Sequence, residues 1–317
     1  MSDTASQPDE AAIDGARRRD RTRRLTHAAG VLIGVGLVAG AIFHLTRDPD
    51  ALSRGLSALR SPSPLVLAGL AAGVLLNLVV TGLIFTILMR RFGRVGLIEM
   101  QGLIASATLI NYLPLRPGLL GRAAYHRLVN QIPVRHTAFA VVAAMTLSIA
   151  AAAMMLTSIG LARWTGLSAA VPLSLFLLLV ALGGASRTSR SACLAMVLRL
   201  IDVLVWSARY VLAFGLIGRE IDFDTALALA CVSTVASMVP LLSNGLGLRE
   251  WAVGYVAPLM VVGVASPEAM LADLVHRAIE VLMTMVFGAA GLVGLAPVLR
   301  RARRATETTP SPRDRAS

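Results

Sequence analysis

Nine apolar segments fill most of the chain, at about 28–46, 65–89, 97–114, 137–162, 168–185, 193–217, 225–242, 251–266 and 270–297. A helix of about 20 apolar residues crosses a hydrocarbon core roughly 30 Å thick. Only 15% of the 317 residues are charged, where a soluble domain carries about a quarter. Mean hydropathy is +0.71. In lipid each segment must satisfy its own backbone, which helices do internally. The sequence therefore predicts an all-α polytopic membrane protein. Residues 1–24 are polar, and residues 300–317 are basic and then rich in Ser, Thr and Pro. Both are expected to be disordered tails flanking one membrane domain over 25–299.

The first apolar stretch follows basic residues, as a signal peptide would. It is too long for one and lacks a small-residue cleavage site, so it is expected to stay as an anchor. Cys193 and Cys231 lie within apolar runs without metal-like spacing and are expected to be packing residues.

Thirty basic and 18 acidic residues give a net charge of +12, and every basic residue is arginine. The charges lie between apolar runs with no aromatic-rich surface beside them, which argues against a nucleic-acid partner. Positive-inside logic accounts for them, placing flanks 17–24, 90–94, 116–135, 187–190 and 300–304 in the cytoplasm. Both termini are then cytoplasmic in a bacterial inner membrane. Segment 97–114 has Arg90, Arg91 and Arg94 before it and Arg116, Arg122, Arg127 and Arg135 after it. With both ends inside, it must be re-entrant. The expected topology is about eight transmembrane helices plus one re-entrant segment, with nine full spans as the alternative. The loop holding Arg47, Arg54 and Arg60 is the exception, partly offset by Asp48 and Asp50.

Residues 237–250 break a helix with Pro240, Gly245 and Gly247, then place Arg249 and Glu250 ahead of the next apolar run. A helix break in a bilayer must face protein or a wet cavity, and ionised side chains there mark a functional site. The alternative is a plain loop with Arg249 among headgroups. On the charge map this motif lies at the cytoplasmic mouth. A looser counterpart carries Asn111, Pro114, Pro117, Gly118 and Arg122, with Gly118-Leu119 preceding Arg122 as Gly245-Leu246 precedes Arg249. This is a weak internal repeat, and paired broken segments point to a transporter's binding site.

Two apolar segments carry further charge. Arg199, Asp202 and Arg209 share a helical face with Trp206 between them, and Asp273, His276, Arg277 and Glu280 share another. Asp273 can pair with Arg277, and Arg277 with Glu280, along one helix. Such pairs could merely hold helices together, or Asp273 and His276 could sit at the outer interface. The functional reading has Arg249 and Arg277 lining a path for a headgroup phosphate, with Glu250 and Glu280 as counter-ions. The candidate substrate-binding set is Pro114, Gly118, Arg122, Pro240, Asn244, Gly245, Gly247, Arg249, Glu250, Arg277 and Glu280. No metalloprotease motif, nucleophile elbow or phosphate-binding loop is present, so the expected function is neither enzymatic nor cofactor-dependent.

On Asn111, Leu113, Pro114, Gly118 and Arg122, and on Pro240 with the run Asn244-Gly245-Leu246-Gly247-Leu248-Arg249-Glu250, the chain resembles the membrane-domain family of lysylphosphatidylglycerol synthetases and their flippase-like, stand-alone relatives. The resemblance spans roughly residues 28 to 300. In bifunctional members this domain translocates an aminoacylated phospholipid that a separate soluble domain makes. Only 18 residues follow position 299, so the resemblance implies a stand-alone member without aminoacyl transfer. Family members often carry Gly-Glu at the place of Gly118-Leu119, and a charged pair at the place of Met145 to Ser148. The resemblance implies a flippase-like protein that binds or translocates a polar phospholipid, its headgroup entering at the broken helix. The alternatives are a transporter of a small soluble anion and a membrane scaffold for a lipid- or envelope-biosynthesis enzyme.

Overall fold

The computed structural model describes residues 29, 32–58, 60, 62–113, 116–166, 168, 170–184, 189–239 and 243–307. Pro114, Pro240 and the 1–24 tail lie outside them. Every element among the described residues is helical: α1 (Leu32–Thr46), α2 (Pro49–Ala58), α3 (Pro64–Met89), α4 (Leu97–Ile110), α5 (Pro117–Leu128), α6 (Val134–Thr165), α7 (Ala170–Gly183), α8 (Arg190–Leu216), α9 (Phe223–Ala236), α10 (Leu248–Met260) and α11 (Ser266–Glu307). Four of them, α3, α6, α8 and α11, are long and apolar enough to cross a membrane. Local chemistry sets the boundaries. Pro64 opens α3 where its missing N–H is no loss. Asp222 caps α9 by accepting from the Thr225 N–H at 3.0 Å. Gly166, at φ 73°, ends α6. α11 continues through Glu307, so residues 300–307 are helical where the sequence suggests a tail.

Aliphatic side chains on α7 and α11, such as Leu178, Leu182, Val286 and Val293, point outwards. The inside holds small residues that let helices approach closely. Gly291 of α11 sits against the Gly102 backbone of α4. A β-carbon on Gly118 would collide with the Ala107 carbonyl of α4.

α4 and α5 form a hairpin with both ends on one side. Asn130, after α5, donates to Glu99 in the first turn of α4 at 2.9 Å, while Tyr125 and Leu103 pack together midway. The 14 residues of α4 rise about 21 Å before the chain turns back along α5. Segment 97–114 thus makes only the first leg of the hairpin, and α5 makes the return. Arg116 and Arg122, expected in a flank at 116–135, lie instead at the tip and buried within the second leg.

A second hairpin, α9 and α10, occupies the segments expected at 225–242 and 251–266. α9 has 14 residues and α10 has 13. Residues at the 237–247 break, such as Met238 and Val239, are apolar but not helical, so a hydropathy window counts them as span. The outer ends of this hairpin lie together, since Arg219 before α9 pairs with Glu268 of α11 at 2.7 Å. Its tip is wound through the left-handed region at Asn244 (φ 51°), Gly245 (φ 71°) and Gly247 (φ 81°), conformations that suit glycine and, less well, asparagine. Gly247 presses on Leu37 of α1, and Trp251 donates to the Leu37 carbonyl at 2.9 Å.

The two tips touch. Arg116, at the bend between α4 and α5, donates to the Val239 carbonyl at 3.3 Å and also to the Ser237 carbonyl. Both carbonyls lie beyond Ala236, the last residue of α9.

Replacing Gly118 by Val should push the first hairpin apart and lower thermal stability in detergent by about 1–3 kcal/mol, the usual range for overpacking. The same change at Gly121, where a β-carbon meets nothing within 4 Å, should leave the melting temperature nearly unchanged.

Candidate functional site: a buried charge cluster at the hairpin tips

The first turn of α10 places Arg249 and Glu250 on the inner side of the second hairpin, facing α11. Arg249 is 1% exposed, and all three of its guanidinium nitrogens are engaged. Nε donates to Asp273 at 2.9 and 3.1 Å, NH1 to Glu280 at 3.0 Å, and NH2 lies 2.6 Å from His276 Nδ1. Arg277 pairs with Glu250 and donates to the Asn244 carbonyl at 2.7 Å, bracing the unwound tip. The ion pairs therefore cross between helices, instead of running along α11 from Asp273 to Arg277 and Glu280. Asp273 and His276 are fully buried within the protein.

Glu280 is the junction. Its Oε2 accepts from Arg249 at 3.0 Å and from Arg209 at 3.3 Å. Its Oε1 accepts from the Tyr112 hydroxyl at 3.3 Å, which joins the first hairpin to the cluster. Arg209 also donates to Asn77 at 2.9 Å, Asn77 donates to Asp202 at 2.7 Å, and Asp202 pairs with Arg199 at 2.8 Å. Arg199, Asp202 and Arg209 thus share one face, as their spacing predicts. Trp206 lies beneath both Arg209 and Arg249, at 5.0 and 5.1 Å, adding cation–π attraction. Tyr210 donates to Asp273 at 2.6 Å and stacks on His276.

Arg209, Arg249 and Arg277 are balanced by Glu250, Asp273 and Glu280, and Arg199 by Asp202. Pairing of this kind makes burial tolerable, although desolvation consumes much of the Coulombic gain. A cavity of about 170 Å³ opens beside the cluster, lined by polar groups including Asn77, Thr108, Arg209, Asn244, Glu280 and Thr284.

Of the predicted set, Asn244, Gly245, Gly247, Arg249, Glu250, Arg277 and Glu280 come together here. Gly118 serves the α4–α5 contact. Arg122 does not join the cluster. It is 4% exposed, its guanidinium lies 3.9 Å from the centre of the Phe85 ring, and it forms no ion pair among the described residues. Asn77, Tyr112, Arg116, Arg209 and Tyr210 were absent from the predicted set. Asn77 had a signal, as the one amide within the apolar run of α3, and Arg209 lay on a charged face. For Tyr112, Arg116 and Tyr210, only the long-range packing reveals the role.

Outside the helices, Arg219 is held by Glu268 through two hydrogen bonds, at 2.7 and 3.0 Å, which raise its guanidinium pKa above the ordinary value.

No protein-family model matches the chain, and a search of curated proteins finds no match. The site and fold alone define its class: an all-helical chain with membrane-length apolar helices, in which two broken hairpins meet over a buried, charge-balanced cluster.

Glu280→Gln leaves two buried arginines short of a counter-charge and should destabilise the protein by roughly 3–5 kcal/mol, the usual effect of breaking a buried pair. Arg219→Ala, at a partly exposed pair, should cost less than about 1 kcal/mol. Thermal unfolding of both variants in detergent checks the ranking.

Proposed function

We propose that this protein is a flippase-like membrane protein that binds and moves a polar lipid, with the headgroup received in the cavity where the hairpin tips meet. The observation that carries this reading is the cavity itself, which sets Arg209, Asn77, Asn244 and Glu280 side by side within an otherwise apolar helical body. Intramembrane charges lining a cavity mark substrate pathways, and broken helices meeting at depth are a transporter's binding architecture. The resemblance to the lysylphosphatidylglycerol synthetase membrane domain favours a phospholipid as the substrate class.

The topology in this reading has six crossings, α1, α3, α6, α7, α8 and α11, and two re-entrant hairpins entering from opposite faces. One hairpin takes the place of two of the eight expected spans. The parity is unchanged, so the arginine-rich flanks still put both termini in the cytoplasm. The motif at 237–250 moves from the cytoplasmic mouth to the outer half of the bilayer. α11 rises about 27 Å from Glu280 to Val298 at the helical 1.5 Å per residue, most of a core roughly 30 Å thick, which sets the cluster towards the outer face. Roles within the site shift as well. Arg249 is saturated by protein partners and anchors the cluster, whereas Arg209 borders the cavity and is the better donor to a phosphate.

The small volume favours a second reading, a soluble anion, because ligand pockets usually measure about 300–1,000 Å³. Competition by a water-soluble headgroup compound lacking acyl chains would support it.

Thr108→Leu, at the cavity rim, should reduce movement of a fluorescent phospholipid in proteoliposomes by about tenfold, the equivalent of roughly 1.4 kcal/mol, while the protein stays folded. Wild-type rates in that variant would argue against the cavity. Single cysteines bear on the topology: Gln131→Cys and Glu220→Cys should react with an impermeant maleimide from opposite sides. Leu246→Cys should resist reagent added from the Gln131 side, and free labelling there would restore two full spans.

A further inference from the structure

The polar cavity borders an apolar groove. Leu78 of α3 lines both spaces, the second being an open groove of about 550 Å³ between α3, α4 and α11. On α11, Thr284 borders the cavity, and Phe287, Gly291, Gly294 and Val298 follow along the groove at helical-turn spacing. On α4, Thr108 borders the cavity, and Ala105, Gly102 and Ile98 follow in the same way. On α11 the lining passes from Glu280 and Thr284 to apolar residues and glycines, and on α4 from Thr108 to Ala105 and Gly102, with Gln101 and Glu99 towards the far end of the groove. From Phe287 to Val298 the groove runs about 16 Å at the helical rise, close to one leaflet's half of a hydrocarbon core roughly 30 Å thick. Glycines on its floor leave room that larger side chains would fill.

Charge balance narrows the headgroup. Arg209 and Glu280 both border the cavity, and each arginine of the cluster already faces a carboxylate. A purely anionic headgroup would bring an uncompensated charge into this buried setting, at high desolvation cost. A zwitterion brings none, and it can offer its phosphate to Arg209 and its ammonium to Glu280.

We infer that the site takes a zwitterionic phospholipid whose phosphate–ammonium headgroup occupies the cavity and one of whose acyl chains lies in the α3/α4/α11 groove. This rests on reading the cavity as a headgroup site. The groove is open along its length, so the second chain stays in the bilayer.

Binding of three probes to the purified full chain in detergent, followed by native mass spectrometry, tests the inference. The probes are dipalmitoylphosphatidylethanolamine, dipalmitoylphosphatidylglycerol and the chain-free glycerophosphoethanolamine. The ethanolamine lipid should bind most tightly and the chain-free compound at least tenfold more weakly. Gly294 is exposed, and a β-carbon there meets nothing within 4 Å, so Gly294→Phe should fold normally while filling the groove. It should weaken the ethanolamine lipid about tenfold, the equivalent of expelling two methylenes, and leave the chain-free compound unaffected. Equal binding of the two lipids would overturn the zwitterion assignment. Unchanged lipid binding in Gly294→Phe, or chain-free compound binding as tightly as lipid, would overturn the acyl seat. In either case, loss of lipid binding in Arg209→Gln would leave the headgroup cavity standing. No saturable lipid binding by the wild type would remove the cavity reading and this inference together.

Discussion

The structure depends on how charge is buried at the meeting point of two broken hairpins. Ionised groups inside a membrane are tolerated only when paired or set beside water, and Glu280 supplies the pairing for two arginines at once. Through Arg249 it is tied to α10, through Arg209 to α8, and through Tyr112 to the bend after α4. Four parts of the chain that are distant in sequence are thereby fixed around one carboxylate. Because each arginine of the cluster is matched to a carboxylate, the cluster holds the helices together and still leaves a polar wall on the cavity.

Breaking the helices is what makes this arrangement possible. A continuous α9 would carry Ser237 and Val239 onward with their carbonyls bonded internally, leaving nothing for Arg116 to hold. The left-handed residues Asn244, Gly245 and Gly247 turn the chain so that Arg249 and Glu250 start a new helix facing α11. The same turn brings Gly247 against α1. Conformation, charge and packing therefore converge on a short stretch, and substitutions there should affect several contacts together.

Much of this was legible in the sequence, for identifiable reasons. The hairpin beginning at 97 was legible only in part. Arginines on both flanks of 97–114 suggested that the chain returns to the side it left, but Arg116 lies at the tip and Arg122 against Phe85, so the return leg is α5. The broken motif at 237–250 announced itself through Pro240, Gly245 and Gly247 beside Arg249. The second hairpin was hidden because its unwound residues are as apolar as its helices, and hydropathy does not separate helix from extended chain. Pairing was hidden too. Spacing along α11 suggested that Asp273 and Arg277 neutralise each other, but tertiary packing gave Asp273 to Arg249 and Arg277 to Glu250. Arg122 carried the sequence analogy to Arg249, yet it lies against Phe85 on another side of the first hairpin.

The central claim is that a lipid phosphate reaches a buried arginine at the hairpin tips. Solid-state NMR dipolar coupling between phospholipid phosphorus and isotope-labelled arginine guanidinium carbon measures that contact directly. The protein in zwitterionic bilayers should show a short-range phosphorus–carbon coupling that disappears in Arg209→Gln. Coupling that is identical in the two proteins, arising only from surface arginines such as Arg94 and Arg300, would contradict it.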